Sequence, residues 1–384
     1  MQMTRKPSDI TTDATSGEVL HHEGEFIINM GPQHPATHGV LHLKIWLEGE
    51  TIKKIEPHLG YIHRGIEKMC ERLSYRQFIF STSRMDYLSA HINNQACALA
   101  VEKALGLEVP PRAKAIRIIL AELTRIASHE LWWACSGLDL GGVTPFFYAF
   151  REREAINDIM EETCGARLTQ NFIVPGGVMS DLHHNFQKRV KRVLTQIKDN
   201  LHEYDEILTG NIIFQNRLKE VGYLSREDAI SYGCTGPAAR GSGLSCDIRK
   251  LYPYDGYEKL DFDEIIFNEG DCWARYRVRM AEILQSVHII EQLIDSIPDG
   301  EFQAKTKNVI KLPKGQFYQR VETARGELGV FIVSDGAATP YRCKFRSPNF
   351  SNLSAIPQMA QGAKIGDLVA IMATVDLVIP DIDR

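Results

Sequence analysis

Residues 131–150, LWWACSGLDLGGVTPFFYAF, decide how the chain is to be read. The stretch carries one charged residue, Asp139, and is long enough to cross about 30 Å of hydrocarbon. Its interior argues against a membrane span. Gly137, Gly141, Gly142 and Pro145 break a single helix, and a carboxylate at mid-bilayer costs about 3 kcal/mol. The segment therefore reads as the end of one buried helix, a polar turn around Asp139 and the start of another. A buried Asp needs a hydrogen-bond or charge partner, so Asp139 predicts a His or Arg delivered from elsewhere in the chain.

Outward from this turn the apolar spacing is helical. Ile116, Ile119, Leu120, Leu123 and Ile126 form a stripe at three- and four-residue steps, and 151–163, 184–208 and 277–297 repeat the pattern until Pro298 stops the last of them. Both ends of the chain read as β. Phe26 to Asn29 is a short strand, Val40 to Leu47 and Thr51 to Glu56 flank a Glu48-Gly49-Glu50 turn, Gly329 to Ser334 is apolar, and Tyr341, Cys343 and Phe345 alternate with cations. The fold class is α+β, with a central long-helix bundle and small sheets formed by the N- and C-terminal segments. Residues 1–25 read as a mobile tail and 26–384 as one domain, divided into an N-terminal β part (26–66), a helical bundle (67–300) and a C-terminal β and cavity-lining part (301–384).

Composition sets outer bounds. Of 384 residues, 44% are apolar and 24% charged, a globular balance that excludes a polytopic membrane protein, and the net charge of −5 disfavours nucleic acid as partner. Cysteines at 70, 97, 135, 164, 234, 246, 272 and 343 form no Cys-x-x-Cys pair. No metal or cluster bound by this chain alone is therefore expected, and the thiols read as reduced and buried in a cytoplasmic protein. The N-terminus lacks the apolar core of a secretory signal.

Three clusters carry chemistry. Gly31 to Gly39 (GPQHPATHG) holds His34 and His38 in a loop stiffened by proline; two imidazoles without further ligands make a weak metal site. His63 to Glu67 (HRGIE) and Ser83 to Tyr87 (SRMDY) pair cations with carboxylates, as surface ion pairs also do. Asp139 is the third.

Taken together, GPQHPATHGV, GYIHRGIEK, SRMDYL, LTRIASHE, TPFFYAFRERE, GPAARGSG, DIRKLYPYDGYE, GELGVFIVSDG and the terminal DLVIPDIDR resemble, in order, the 49-kDa-type subunit of proton-pumping NADH-quinone oxidoreductase, respiratory complex I. The resemblance runs from about Asn29 to Arg384. That family is similar in turn to the large subunit of nickel-iron hydrogenases, which shares Arg64-Gly65-Ile66-Glu67 but requires two Cys-x-x-Cys pairs for its metals. Here Met85-Asp86-Tyr87-Leu88 and Val378-Ile379-Pro380-Asp381 stand in their places, with no thiolate. This disfavours a membrane-bound hydrogenase; a component of a ferredoxin-plastoquinone oxidoreductase is the nearer alternative.

The resemblance implies a hydrogenase-large-subunit-like fold and a site for a quinone headgroup. By motif match His38, Tyr87 and Asp139 are catalytic, His38, Gly39, Tyr87 and Val378 contact quinone, and Arg64 and Arg84 lie near an iron-sulfur cluster held by a partner. The implied partners are a small iron-sulfur subunit with the terminal cluster, a 30-kDa-type subunit and a membrane subunit that forms the quinone channel. The implied place is peripheral, on the cytoplasmic face of the bacterial inner membrane or on the matrix side if the protein is organellar. Three departures stand out: Leu168-Thr169-Gln170 follow Gly165-Ala166-Arg167 where many relatives have a His, Val174 replaces a common Arg, and Asp376-Leu377-Val378 replaces Asp-Pro-Val.

Overall fold

The computed structural model describes residues 2–4 and 25–384. Four strands open the fold as an antiparallel sheet: β1 (Gln2–Thr4), β2 (Glu25–Met30), β3 (His42–Glu48) and β4 (Thr51–His58). The alternation expected of a half-buried sheet is met, since Ile28, Ile45 and Ile55 lie opposite one another across β2, β3 and β4 and all are buried. The expected mobile tail departs from expectation at Gln2–Thr4, which pairs with Ile27–Asn29 as an edge strand; residues 5–24 lie outside the described residues.

Helices follow: α1 (Ile66–Cys70), α2 (Tyr75–Thr82), α3 (Ala90–Leu105), α4 (Pro111–Asp139) and α5 (Thr144–Cys164). A two-strand ribbon of β5 (Ile173–Val174) and β6 (Gly177–Val178) precedes α6 (Phe186–Tyr204). Next come α7 (Ile212–Leu218), α8 (Arg226–Ser231), α9 (Pro237–Arg240), α10 (Ile248–Leu251) and α11 (Cys272–Ile294). The sheet β7 (Gly315–Thr323), β8 (Gly326–Ser334), β9 (Arg342–Arg346) and helices α12 (Pro348–Ser354), α13 (Ile356–Ala360), α14 (Ile365–Val375) and α15 (Ile379–Asp383) follow. The architecture is α+β, as the sequence indicates. Helix α11 ends at Ile294, ahead of Pro298, and the long helix expected over 184–208 gives way after Tyr204 to a wider π turn at Asp205–Thr209.

The segment around Asp139 behaves as read: α4 stops at Asp139, and Gly141 and Gly142 turn the chain before α5 starts at Thr144. Gly137 makes the turn tight, because a Cβ there would lie 2.9 Å from the Pro145 ring. No helix among the described residues is long and apolar enough to cross a membrane. Helix α4 is the central rod and packs against α3, α5, α11 and α14.

The interior is unusually ionic. Arg117, Arg125, Arg240, Arg249, Arg275, Arg279 and Arg325 are all buried. Such guanidiniums require carboxylate or carbonyl partners. Arg117 meets Glu102 through both terminal nitrogens at 2.5 and 3.1 Å, and also donates to the carbonyls of Val174 and Gly177, fixing the β5–β6 ribbon to α3 and α4. The cysteines make no disulfide; six are buried and Cys135 and Cys164 are half-buried.

Distant parts of the chain are stitched together at two places that matter for the site. The backbone of Ile52 exchanges hydrogen bonds with Gly362 and Ala363, joining β4 to the turn before α14. The carboxylate of Asp383 accepts the N–H groups of Gly60 and Ile62, each at 2.9 Å, and its carbonyl meets His63 Nδ1 at 2.5 Å.

Strands β7 and β8 are joined by a two-residue turn, Ala324-Arg325, which lies against Thr235-Gly236. Gly236 has φ 67° and ψ −152°, and a Cβ there would approach the Arg325 carbonyl oxygen to 2.4 Å. Gly236→Ala should cost about 2 kcal/mol or more from backbone strain alone, with displacement of the turn in addition; thermal denaturation of the variant against wild type measures it.

Candidate functional site

The loop bearing the two histidines is built by local hydrogen bonds. His34 caps a single 3-10 turn (Pro35–Thr37), its Nδ1 accepting the Ala36 N–H at 3.2 Å, and Thr37 Oγ1 donates to the His34 carbonyl at 2.7 Å. His38 ends the turn with φ 50°, a left-handed conformation that aims its ring away from the strand path and toward the end of α4. There His38 Nε2 lies 3.7 Å from Asp139 Oδ2, with side chains 14% and 13% exposed. The partner that Asp139 demanded is thus a histidine from the loop between β2 and β3. The separation is too long for a hydrogen bond, and His38 Nε2 is a buried nitrogen without a hydrogen-bond partner among the described residues. Burial raises the Asp139 carboxyl above the usual Asp range, with His38 and then His34 opposing.

Tyr87 stands on the turn between α2 and α3 and is 36% exposed. Burial raises its phenol above the ordinary value, Arg325 opposes, and Asp86 and Asp376 add to the rise, so the hydroxyl is a neutral donor at physiological pH. It lines a narrow cleft with Ser128, Arg153, Asn157 and Gln170; His38 and Asp139 are not among that cleft's walls. Gly39 is exposed, with φ 119°. Val378 is buried, its N–H bonded to Asn349 Oδ1 at 3.1 Å.

What joins these pieces is a group the sequence did not single out. Arg325, at the tip of the β7–β8 hairpin and fully buried, donates through Nη1 to Asp86 Oδ2 at 3.1 Å and Ser128 Oγ at 3.0 Å. Its Nη2 meets Asp376 at 3.0 Å and its Nε donates to the Asp376 carbonyl at 3.0 Å. One guanidinium therefore fixes the residue before Tyr87, a hydroxyl on α4 and the turn leading to Val378. Ser128, Cys135 and Asp139 fall at seven- and four-residue steps on α4, so one helix face carries the frame from Tyr87 toward His38. A sequence signal existed, an Arg-Gly pair between two alternating strands, but nothing local to it names its partners.

Residues 85–88 and 378–381 also approach one another here, Asp86 being close enough to act on Asp381. Asp381 is buried, accepts hydrogen bonds from Ser347 and from Asn349 Nδ2, and is pushed up to about 6 by burial first and by Asp86 second. No group of three or more His, Cys, Asp or Glu among the described residues is arranged to hold a metal ion. Arg64 and Arg84 come together on the surface: Arg64 Nη2 donates to the Arg84 carbonyl at 2.6 Å, and neither forms an ion pair with a carboxylate among the described residues. Glu67, by contrast, is fully engaged, accepting the Phe345 N–H at 3.0 Å and pairing with Arg342 and Lys344.

An α+β fold with a helix-bundle core thus brings a His–Asp pair and a tyrosine, whose neighbouring carboxylate is held by a buried arginine, to the ends of the same long helix and its flanking turns. The family described as respiratory-chain NADH dehydrogenase, 49 Kd subunit, matches residues 139–311 and 304–384. The chain is 53% identical to the C/D-type NADH-quinone oxidoreductase subunit of Bacteroides fragilis over 97% of this chain and 70% of that protein. It is 46% identical to the D-type NADH-quinone oxidoreductase subunit of Geobacter sulfurreducens, covering 93% of this chain and 98% of the relative, and 46% identical to its counterpart of the same name in Bacillus cytotoxicus, covering 94% and 98%. This chain belongs to the 49-kDa subunit family of respiratory-chain NADH dehydrogenase.

Replacing Arg325 by Gln leaves Asp86 and Asp376 buried beside an uncharged amide. The expected destabilisation is about 3–5 kcal/mol, read as a loss of folded protein on thermal denaturation.

Proposed function

We propose that this chain is the part of a proton-translocating NADH-quinone oxidoreductase that receives the quinone headgroup, where electrons from a cluster in a partner protein reduce quinone to quinol. Reduction adds two electrons and two protons and builds negative charge on two carbonyl oxygens at opposite ring edges, so a donor is needed at each end. The observation that supports the reading is that Arg325 ties the residue before Tyr87 to Ser128 on α4, the helix whose end carries Asp139 beside His38.

Each group suits its part. The Tyr87 phenol stays neutral and gives up its proton only to a strongly basic reduced quinone. An imidazole is chemically able to hand a proton to the quinone, and the Asp139 carboxylate beside His38 favours its charged form. When His38 loses its proton to the quinone, Asp139 keeps a charge that its burial disfavours and has no countercharge at 3.7 Å. Separation of the two is the first movement of the signal to the proton pump. Gly39 and Val378 complete the headgroup contacts.

Electrons arrive at the surface of Arg64 and Arg84, two cations that no carboxylate among the described residues neutralises. A small iron-sulfur protein of the complex docks there with its cluster near both guanidiniums, and a membrane subunit supplies the quinone channel. A 30-kDa-type subunit is a further neighbour, in keeping with relatives whose name joins C and D. The complex places this chain on the cytoplasmic face of the inner membrane.

Tyr87→Phe should abolish quinone reduction while NADH oxidation by an artificial acceptor continues at the wild-type rate; normal quinone turnover in the variant would remove Tyr87 from the mechanism. Redox titration of the partner's cluster gives a second test. Arg84→Ala should lower its midpoint potential, because a nearby cation favours the reduced form. With Leu168-Thr169-Gln170 in place of a titratable side chain, the wild-type potential should change with pH by much less than the one-proton, one-electron slope of about 60 mV per unit.

A further inference from the structure

Behind the Arg325 hairpin lies a set of buried charges that the proposed quinone chemistry does not use. Four carboxylates belong to it. Glu122 accepts from Arg125, Arg249, Tyr257 and Ser286. Asp247 takes two nitrogens of Arg249, the nearer at 2.6 Å. Glu282 is bonded to Arg240 and, at 2.9 Å, to His129 Nε2. Glu322 accepts Arg240 Nη1 at 2.8 Å and the Ile248 N–H at 3.2 Å. All four are buried, and so are the three guanidiniums they share.

The charges do not balance, because three arginines face four carboxylates. Of the other buried cations, Arg275 donates to the Gly222 and Gly270 carbonyls and Thr374 Oγ1 and bonds none of the four carboxylates. Arg325 lies between Asp86 and Asp376, and Arg279 donates to the carbonyls of Thr374 and Val375 with Asp376 as its strongest attracting charge. An unmatched buried charge is expensive enough that the group takes up a proton instead.

We propose that this cluster binds one exchangeable proton at neutral pH and that its seat is the Glu322 carboxyl, making Glu322 a proton-binding residue at the base of the hairpin that carries Arg325. Hydrogen bonding chooses the seat. Glu122 has four side-chain donors, Asp247 has a chelating guanidinium with no competitor for those two nitrogens, and Glu282 has Arg240 and His129. Glu322 has half of Arg240 and one backbone N–H, the least compensation of the four. His129 is the other candidate seat, but its Nδ1 is buried with no hydrogen-bond partner among the described residues, so an imidazolium would bury an unanswered N–H.

The groups facing Glu322 are Arg240 from α9, Asp247 and Arg249 from the start of α10, Glu122 and Arg125 from α4, Glu282 beyond Arg240 on α11, and the Tyr254 hydroxyl, which accepts the Glu322 N–H at 3.2 Å and which burial keeps neutral. The Cys246 thiol is also near but is pushed up to about 12 and stays neutral. In agreement with the geometry, burial first and Asp247 among the charges raise Glu322 to about 7 against the pull of Arg240. The inference stands independently of the quinone reading, since it rests on charge balance in the core.

Infrared titration of the purified complex containing this chain tests it. Between about pH 6 and about pH 8, one unit either side of the value near 7, wild type should lose a protonated-carboxyl band distinct from that of Asp381, which is pushed up to about 6, and Glu322→Gln should lack the first band throughout while keeping the second. Asp247→Asn takes away a facing negative charge and should move the first band's midpoint down by about one unit, a tenfold change in proton affinity; this variant decides the matter if Glu322→Gln fails to assemble. His129→Gln should keep the first band. Absence of the first band in wild type, its persistence in Glu322→Gln, an unmoved midpoint in Asp247→Asn, or an imidazolium signal in its place would overturn the proposal.

Discussion

A single guanidinium, that of Arg325, sits where three otherwise separate parts of the chain must agree on their positions. Asp86 comes from the turn after α2, Ser128 from the middle of α4 and Asp376 from the end of α14, and all three are bonded to it within 3.1 Å. Its planar fork of donors can satisfy partners arriving from several directions at fixed angles, which an ammonium group cannot do. The burial of the hairpin tip against Gly236 holds the fork still. Such an interaction contributes little net stability against an apolar alternative of the same volume. What it supplies is uniqueness of arrangement, and the placement of Tyr87 relative to the segment of Val378 follows from it.

The same economy runs through the core. Long helices alone could pack through aliphatic stripes, and α4 and α11 do so along Ile119, Leu123, Ile283 and Ile290. Between those stripes lie His129, Glu282, Arg240 and Glu322, each bonded to a neighbour from a different element. Apolar contacts set which helices meet, and the ion pairs set the register at which they meet. This division suits a protein whose site is made of groups on loops and helix ends, where a shift of about one ångström at the chemistry is costly.

The sequence made the outline of the fold legible because the outline depends on local periodicity. Helix α4 and the Asp139 turn were readable from spacing and from Gly and Pro, and the N-terminal hairpin from alternation around Gly49. The histidine that answers Asp139 was readable as a requirement, although its number came only with the motif resemblance. What was not legible has one physical character. Asp86 and Asp376 lie 239 and 51 residues from Arg325 along the chain, and buried charges look like surface charges until their partners are known. Gln2–Thr4 joined the sheet for a related reason: pairing with an edge strand needs backbone, not pattern.

The Asp383 contact has a bearing on synthesis. The N–H groups of Gly60 and Ile62 find their acceptor on a residue made 323 and 321 positions later, and Arg64 follows two residues beyond Ile62. Until residue 383 has left the ribosome, the loop that carries the proposed electron-entry cations lacks the acceptor that fixes its geometry. The geometry of the Gly60–Ile62 loop is thus closed by a helix remote in sequence rather than by its own neighbours.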